Sequence, residues 1–452
     1  MLQHMRIVIV GAGEVGAHLA RRLSSEGQDV VVIEANPDRA TAISEQLDVI
    51  AIAGNGASLS MLEQAGIRRA RMLLAVTSRD EVNVLACLAA SRYEVEFKVA
   101  RVSNAEFYAP GSVLSRDLLG IDLMINPERE CAWDTFQLLN SAAATDLVPF
   151  GGGSIHLIGV RIRDGASIAG KTLAEIDQMT SEYHFTTVGI VRNGVTQIPT
   201  GLSRIEAGDQ LFVLAPTNEL SAIPPLAGYR DFRLRRVMIA GGSEEAVHLA
   251  HYLAEAGVEY TILDTDRRRC RELAEMLPEG LILNGDATDL ELLEMEGVEA
   301  VDGFVAYTGQ DEVNLLTSML AKASGARKVI SLIHRFEYVR LVTRVGIDAA
   351  VSARQATVSA ILRYVRRGKV HSVATLKGID AEALELDVGP NAAVAGKTLM
   401  EAEIPKGIAV VGAILRNGSV IMPRGRDVLE SGDRVIVFAL PAAIQAIEKL
   451  FA

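Results

Sequence analysis

Short runs of apolar, mostly β-branched residues alternate along the chain with longer segments whose apolar residues recur every three or four positions. Runs such as 6–11, 29–35 and 72–78 contain little polar alternation, which is typical of strands buried on both faces of a parallel sheet. Between the first two runs, Leu19 and Leu23 lie on one face of a helical pattern, as expected for a helix packed on a sheet. This alternation predicts a doubly wound α/β fold with right-handed crossovers.

The alternation occurs twice. The other apolar runs that predict strands are 49–54, 97–102 and 122–127 in the first half and 235–241, 259–266, 280–287, 302–309 and 328–333 in the second. Short motifs recur in the same order: DEVN at 80–83 and 311–314, AGKTL at 169–173 and 395–399, RNG at 192–194 and 416–418, and GD at 208–209 and 432–433. This self-similarity indicates a tandem duplication of roughly 225 residues.

A smaller pattern follows the alternating region in each half. In the first half it consists of a strand at 156–164, a short helix at 172–179, a hairpin at 186–199 and a strand at 209–216. Asn193-Gly194 lies within the hairpin and suits a type I′ turn. The pattern recurs at 370–440, so each copy is expected to end in a small α+β domain.

The predicted fold class is therefore α/β, a duplicated unit of a Rossmann-like doubly wound parallel sheet plus a small α+β domain. The segment 223–232 contains two prolines and is the best linker between the copies. The predicted boundaries are 1–143 for the first Rossmann-like domain, 144–222 for the first small domain, 223–232 for the linker, 233–368 for the second Rossmann-like domain and 369–452 for the second small domain.

Composition and charge narrow the classes of function. The 452 residues carry a formal net charge of −12, which disfavours nonspecific binding to nucleic acid or to anionic lipid. The three cysteines lie far apart, which fits a reducing cytosol. No apolar run reaches the roughly 18 residues of a transmembrane helix, and the N-terminus lacks a signal-peptide pattern. We expect neither nucleic-acid nor direct lipid binding, and any membrane association to go through a partner.

The glycine-rich sequence GAGEVG at 11–16 is the strongest candidate for a binding site. It follows an apolar strand and opens an amphipathic helix, the context of a dinucleotide-binding loop. Gly11 suits the turn, Gly13 the close approach of a pyrophosphate, and Gly16 the packing of helix on strand, while Ala12, Glu14 and Val15 complete the loop. Glu34 ends the second strand about 20 residues later, where an acid binds ribose hydroxyls and repels a 2′-phosphate. NAD(H), or the adenosine part of another nucleotide, is favoured over NADP. The alternative is a glycine turn that only packs the helix.

Other candidates follow later strands, because doubly wound sheets bind ligands at the carboxyl ends of their strands. Asn55 lies in the loop GNGAS, and Thr77 and Ser78 begin TSRDEVN, where their hydroxyls suit phosphate or ribose. Arg101 ends a buried strand, where a charge is costly unless it is paired. A nucleotide phosphate would pair with it; the alternative is an ion pair with Asp80, Glu81 or Glu128.

Taken together, these features resemble the TrkA family, the cytosolic regulatory subunits of bacterial Trk potassium uptake. The resemblance extends from about Met5 to Phe451 and rests on the duplicated domain order, GAGEVG with Glu34, the GNGAS and TSRDEVN loops, and the GKTL and GD motifs. It implies two regulator-of-potassium-conductance (RCK) units per chain and a homotetrameric ring at the inner face of the membrane. It further implies docking on a membrane-embedded potassium-translocating Trk subunit and gating by NAD(H) and by ATP or ADP. In this family the nucleotide site is lined by residues that here are Gly11, Gly13, Gly16, Glu34 and Arg101.

The second copy departs from this pattern. Its loop reads GGSEEA at 241–246, so that Ser243 and Ala246 replace two glycines, and a side chain at 243 would crowd a pyrophosphate. Counting from the loop places Ser331 opposite Arg101, whereas Asp264 retains the acid and stays a candidate binding residue. Weak binding, a different ligand and a purely structural role remain open for this copy.

No catalytic constellation is evident, so the protein is expected not to be an enzyme. The segment GASIAGKT at 165–172 matches a P-loop literally, but Asn391 replaces Gly165 in the repeat, which favours a turn and a helix start. The alternative function is an NAD-dependent oxidoreductase, which would need a His, Lys or Tyr placed for proton transfer.

Overall fold

The described residues form two six-stranded parallel sheets and two five-stranded antiparallel sheets. The structure is a computed structural model, and it describes residues 6–25, 27–108, 112–141, 143–229, 233–342, 344–365, 370–375, 379 and 381–451. The predicted fold class, a duplicated Rossmann-like sheet plus a small α+β domain, is confirmed.

The first parallel sheet and its helices comprise β1 (Arg6–Val10), α1 (Glu14–Ser25), β2 (Asp29–Glu34), α2 (Pro37–Gln46), β3 (Ile50–Ala53), α3 (Leu59–Gln64), β4 (Ala70–Ala75), α4 (Asp80–Arg92), β5 (Phe97–Arg101) and β6 (Leu123–Ile125). Helix α5 (Pro127–Leu139) follows in the sequence, and its residues from Ala132 onward group with the second sheet. The strand order β3-β2-β1-β4-β5-β6 is that of a dinucleotide-binding Rossmann fold. The carboxyl ends of these parallel strands therefore lie along one edge of the sheet.

The first small domain comprises β7 (Ala144–Phe150), β8 (Ile155–Arg161), α6 (Leu173–Met179), β9 (Thr186–Arg192), β10 (Val195–Gln197), β11 (Gln210–Pro216) and α7 (Ile223–Leu226). Its strand order is β10-β9-β11-β8-β7. The short helix α7 occupies the start of the predicted linker, and the last three linker residues, 230–232, lie outside the described residues.

The second parallel sheet has the same order, β14-β13-β12-β15-β16-β17. Its elements are β12 (Arg236–Ala240), α8 (Glu244–Glu255), β13 (Glu259–Asp264), α9 (Arg267–Met276), β14 (Leu281–Asn284), α10 (Leu290–Met295), β15 (Gly303–Ala306), α11 (Asp311–Ala323), β16 (Lys328–Leu332), α12 (Phe336–Val342), β17 (Ala349–Val351) and α13 (Ala353–Val365).

The second small domain orders its strands β18-β19-β22-β20-β21. Its elements are β18 (Val370–Thr375), β19 (Glu382–Asp387), β20 (Ala409–Arg416), β21 (Ser419–Ile421), β22 (Arg434–Ala439) and α14 (Ile444–Phe451).

Burial on both faces explains the continuous apolar runs of the first parallel sheet. Along β1, Ile7 and Ile9 pack into one apolar cluster, whereas Val8 and Val10 pack into the cluster on the opposite face. All four side chains are at most 1% exposed. Alternate residues of a strand point to opposite faces, so a strand covered on both sides is apolar at every position.

Helix α13 packs on the first sheet although it follows the second sheet in the sequence. The chain forms two compact units: the described residues up to 131 together with 352–365, and 132–351 together with the described residues after 365. Val358, Ile361 and Leu362 belong to the apolar cluster that also contains Ile7 and Ile9. The predicted boundary at 368 had grouped this helix with the second sheet, because periodicity shows that a helix has an apolar face but not which sheet covers it.

The motifs shared by the small domains are structural. Arg192 forms two hydrogen bonds with the buried carboxylate of Asp209, and Arg416 repeats them with Asp433. Asn193 and Gly194 have φ of 53° and 79°, which confirms the type I′ turn. In the P-loop-like segment, Thr172 accepts a hydrogen bond from the backbone of Glu175 and caps α6.

Candidate functional site

The loop between β1 and α1 needs two of its glycines for the fold and leaves the third facing open space. Gly11 has φ +103°, a conformation that side chains disfavour, and its N–H donates to the carbonyl of Ile33 at 2.8 Å. A Cβ at Gly16 would overlap the carbonyl oxygen of Gly11. A Cβ at Gly13 would meet nothing within 4 Å. The space beside Gly13 is therefore open to a ligand at the amino end of α1.

Glu34 ties this loop to the loop after β2. Its side chain is buried, and its two oxygens accept hydrogen bonds from the backbone N–H groups of Ala12 at 2.5 Å and Asn36 at 2.9 Å. A carboxylate oxygen can accept more than one hydrogen bond, so both oxygens keep capacity for a ribose hydroxyl. Glu34 thus has a structural role alongside the predicted binding role.

Asn83, the last residue of DEVN, joins the ends of β4 and β5. Its Oδ1 accepts from the N–H of Thr77 at 2.9 Å and from the Thr77 hydroxyl at 2.7 Å. Its Nδ2 donates to the carbonyls of Thr77 at 3.0 Å and Arg101 at 2.8 Å. Sequence reasoning assigned no role to Asn83, although its unchanged recurrence in the repeat was a signal.

Other residues predicted from the sequence lie in the segments that follow β3 and β4. Asp80 accepts hydrogen bonds from the backbone N–H groups of Ser103 at 2.9 Å and Asn104 at 2.8 Å, and so fixes the chain that follows β5. Ser78 is exposed beside it. After β3, Asn55 is exposed, and its side chain accepts from the N–H of Ala57 at 3.0 Å. Both side chains follow strands whose carboxyl ends form the same edge of the sheet as the glycine loop.

Arg101 ends β5 at this edge, with its side chain 26% exposed. Its Nη2 lies 4.0 Å from Oε1 of Glu128, in the first turn of α5. This separation exceeds hydrogen-bonding distance, so the alternative ion pair predicted for Arg101 is present only as a long contact. A ligand phosphate at the edge would offer the guanidinium a closer partner.

An arginine of α13 reaches the glycine loop. Arg354, in the first turn of that helix, forms an ion pair with Glu14, the first residue of α1. Partial burial lowers the pKa of Arg354, because desolvation disfavours its charged form. Sequence reasoning missed this residue, since only the placement of α13 on the first sheet brings it to the loop.

The second copy repeats the framework of the first. Asp264 accepts hydrogen bonds from the backbone N–H groups of Gly242 at 2.6 Å and Asp266 at 2.7 Å. Glu34 accepts from the equivalent N–H groups, those of Ala12 and Asn36, in the first copy. Asn314 bonds the N–H, hydroxyl and carbonyl of Thr308. A cleft of about 910 Å³ opens at this edge. Its lining includes Gly242, Ser243, Asp264, Arg269, Asp286, Tyr307, Thr308 and Gln310.

The side chains around the second glycine loop differ from those around the first. Ser243, which replaces Gly13, caps α8 by accepting a hydrogen bond from the N–H of Ala246 at 3.4 Å. Arg269 donates to the carbonyl of Gly242 at 2.7 Å and pairs with Glu244 at 2.8 Å. An arginine from the copy's own helix α9 thus occupies the mouth of this loop.

The counterpart of Arg101 is Leu332, and the assignment of Ser331 from the sequence was wrong. Asn83 bonds the carbonyl of Arg101, and the equivalent Asn314 bonds the carbonyl of Leu332 at 3.0 Å. The second copy has one extra residue between its glycine loop and β15, so counting from the loop falls one position short. Leu332 is apolar and buried, so the second copy carries no cation at this position.

Within the described part of the chain, no three His, Cys, Asp or Glu side chains are grouped so as to hold a metal ion. No helix there has both the length and the apolar character to cross a membrane.

Comparison with known proteins gives one family over both halves. The TrkA-N domain model matches residues 7–127 and 237–353, and the TrkA-C domain model matches 157–227 and 383–452. The Trk system potassium uptake protein TrkA of Azorhizobium caulinodans is 35% identical over 452 residues, covering 99% of this chain and 98% of that protein. TrkA homolog 2 of Methanosarcina mazei is 37% identical over 455 residues, covering 99% of this chain and 100% of that protein.

Solved structures share the fold. The GsuK RCK domain superposes with a TM-score of 0.59 at 20% identity, covering 100% of this chain and 95% of that one. A GsuK channel bound to NAD gives a TM-score of 0.59 at 20% identity, covering 100% of this chain and 79% of that one. With both domain models matched in tandem and relatives aligned from end to end, the chain belongs to the TrkA family of Trk-system potassium uptake proteins.

Proposed function

We propose that this chain is the nucleotide-gated regulatory subunit of a potassium uptake system and that it controls ion flux through a membrane-embedded Trk subunit. The names of its full-length relatives support the potassium transport role. The proposed location is the cytoplasmic face of the membrane, reached through the partner subunit rather than through lipid. The acidic net charge of −12 supports this, because it disfavours direct attraction to anionic lipid.

The nucleotide site proposed here lies in the first copy, and the observation that carries it is the open space beside Gly13. That space adjoins the amino end of α1, whose N–H groups and helix dipole favour a phosphate. Glu34 lies where a ribose would bind, and its charge opposes a 2′-phosphate, so NAD(H), ATP and ADP are favoured over NADP. One solved neighbour is a channel bound to NAD, which fits this ligand class.

Gating requires that the nucleotides distinguish two states of the assembly, because a ligand shifts an equilibrium only by its differential affinity. Arg101 is the best candidate for a residue that distinguishes the nucleotides, because it lies where the strands end at their carboxyl edge and its guanidinium makes only a long contact with Glu128. We propose that it senses a nucleotide phosphate.

The proposed assembly is a homotetrameric ring. Exposed apolar side chains on the equivalent helices α4 and α11, Leu85 at 51% and Leu316 at 48%, support self-association through these helices.

The experiment that tests this function replaces Gly13 with Val and measures NADH, ATP and ADP binding by calorimetry. Because a Cβ at this position meets no protein atom, the variant should fold normally and lose binding through contact with the phosphates alone. Gly309→Val is the matched control: its Cβ also faces open space, but in the second cleft. Unchanged NADH affinity in Gly13→Val would contradict the assignment. Turnover of NADH with a carbonyl substrate would favour the oxidoreductase alternative.

A further inference from the structure

The ion pair between Arg354 and Glu14 places a cation of the second repeat at the first glycine loop. Glu14 is 63% exposed and Arg354 is 38% exposed, so solvent or a ligand reaches both groups. The helix that carries Arg354 is held in place by Val358, Ile361 and Leu362, which are at most 4% exposed in the core of the first sheet. Arg354 is therefore presented to the loop by a packed helix.

The charge of Glu14 opposes the ligand proposed for this loop. A carboxylate in the first turn of α1 stabilises the helix by itself, but it repels a phosphate that binds to the same helix end. Arg354 neutralises that carboxylate in the absence of ligand. Because its guanidinium carries several N–H donors in a planar fork, it can bind a phosphate oxygen at the same place.

The second copy shows that this arrangement is specific to the first. There, Glu244 corresponds to Glu14 and pairs with Arg269 of α9, which also bonds the loop carbonyl of Gly242. The position that corresponds to Arg354 at the start of α5 is Glu128, an acid. Among the described residues, the acid of the first loop thus pairs with an arginine from a helix outside its own repeat, whereas the acid of the second loop pairs with an arginine of its own repeat.

We propose that Arg354 is a binding residue of the first nucleotide site, which exchanges its ion pair with Glu14 for a phosphate of the bound nucleotide. The inference rests on the proposed function, because it requires a nucleotide at this loop. The ligand chemistry is a nucleoside diphosphate or triphosphate, or the pyrophosphate of a dinucleotide. Glu14 competes with the ligand for the guanidinium and so sets the affinity of the site.

The test measures ATP, ADP, NADH and adenosine affinities by calorimetry for wild type, Arg354→Gln, Glu14→Gln and the double variant. Arg354→Gln should weaken the three phosphate ligands about tenfold or more, since hydrogen bonds to charged groups contribute about 1.5–3 kcal/mol. Adenosine, which has no phosphate, should bind all four proteins alike. Glu14→Gln should strengthen phosphate-ligand binding more when Arg354 is present than in the Arg354→Gln background, where it removes only the direct repulsion between the Glu14 carboxylate and the phosphate.

The controls separate this inference from the proposed function. Arg269→Gln removes the matched arginine of the second loop and should leave first-site affinity unchanged. If Arg354→Gln binds all ligands like wild type and melts lower by the same amount as Glu14→Gln, the pair is only structural. The inference then fails, whereas the proposed function stands. If wild-type protein binds none of the nucleotides, the proposed function fails with it. Loss of NADH binding in Gly13→Val with full binding in Arg354→Gln would also reject Arg354 as a ligand residue.

Discussion

The two Rossmann-like copies keep the same hydrogen-bonded framework and differ where a ligand would lie. Asn83 and Asn314 bond the same backbone groups after β4 and β15, and Glu34 and Asp264 each accept two loop N–H groups. These side chains support the loops whether or not a nucleotide binds. Because the acid and the DEVN motif have this structural role in both copies, their presence alone does not identify a binding site.

The differences lie at three places around the glycine loop. Gly13 faces open space, whereas Ser243 caps its helix. Arg101 is replaced by the buried Leu332. The cation at the first loop, Arg354, comes from α13, whereas the second loop uses an arginine of its own helix α9. If nucleotide binding is confined to the first copy, as proposed, substitutions in the shared framework should affect both copies alike, whereas substitutions at the places that differ should change binding in the first copy only.

The largest effect is expected from the two framework asparagines. Asn83→Leu and Asn314→Leu each remove the partner of several buried or partly buried backbone N–H and C=O groups, at about 1–3 kcal/mol per group where the group is buried. Both should lower the free energy of unfolding by about 3 kcal/mol or more, and to a similar extent, in chemical denaturation. A large loss in only one copy would show that the framework is not shared.

Arg101→Ala should weaken nucleotide binding about 10- to 100-fold, from the 1.5–3 kcal/mol of a charged hydrogen bond. If Arg101 contacts the terminal phosphate, ATP should lose more affinity than ADP; if it contacts the shared diphosphate, both should lose alike. The matched variant Leu332→Ala should lower stability by about 2–5 kcal/mol through a core cavity and leave first-site affinity unchanged. Calorimetry with melting curves separates the two, and unchanged affinity for all ligands in Arg101→Ala would leave the contact with Glu128 as its only role.

Gly16→Ala should destabilise the first copy by about 1–3 kcal/mol, because the new Cβ would overlap the carbonyl of Gly11. The reverse change in the second copy, Ala246→Gly, should cost only about 0.5–1 kcal/mol, the ordinary penalty of glycine in a helix. Thermal unfolding of the pair measures the difference. Equal effects would mean that the two loops have the same local packing.

Lys328 gives the second sheet a pH dependence. Its Nζ donates hydrogen bonds to the carbonyl of Leu138 at 2.5 Å, to that of Ala144 at 2.8 Å, and to that of Ser141. Burial lowers the pKa of Lys328 from 10.5 to about 7, although the negative charge of Asp348 acts in the opposite direction. The unfolded chain then holds a proton between pH 7 and 10.5 that the folded chain has lost, so the contribution of Lys328 to stability rises with pH across this window.

The measurement is the free energy of unfolding between pH 7 and 9 for wild type and Lys328→Met. The slope should be steeper in wild type by about 1 kcal/mol per pH unit. The first sheet has the apolar Phe97 at the matching position, so Phe97→Leu is a control that should leave the slope unchanged. Parallel curves for wild type and Lys328→Met would contradict the lowered pKa.

Sequence reasoning predicted what depends on local pattern and repetition. Strands buried on both faces, such as β1, appear as continuous apolar runs, and Asn193-Gly194 specifies its turn by backbone preference alone. The placement of α13 was not predictable in this way, because its apolar face fits either sheet. The role of Arg354 depends on that placement and was missed with it. The error at Ser331 arose from one extra residue, which alters the numerical offset between the copies but not the hydrogen bond from Asn314.

The most direct test of the difference between the copies is the stoichiometry of NADH binding to the whole chain by calorimetry, in wild type and in Gly13→Val. One tight site per chain is expected in wild type, because Gly13 leaves space beside the first loop, whereas Ser243 occupies the equivalent position in the second loop and the arginine there, Arg269, is already bonded to Gly242 and Glu244. That site should disappear in Gly13→Val. Two equivalent sites per chain, or one site that survives the substitution, would contradict the assignment of nucleotide binding to the first copy.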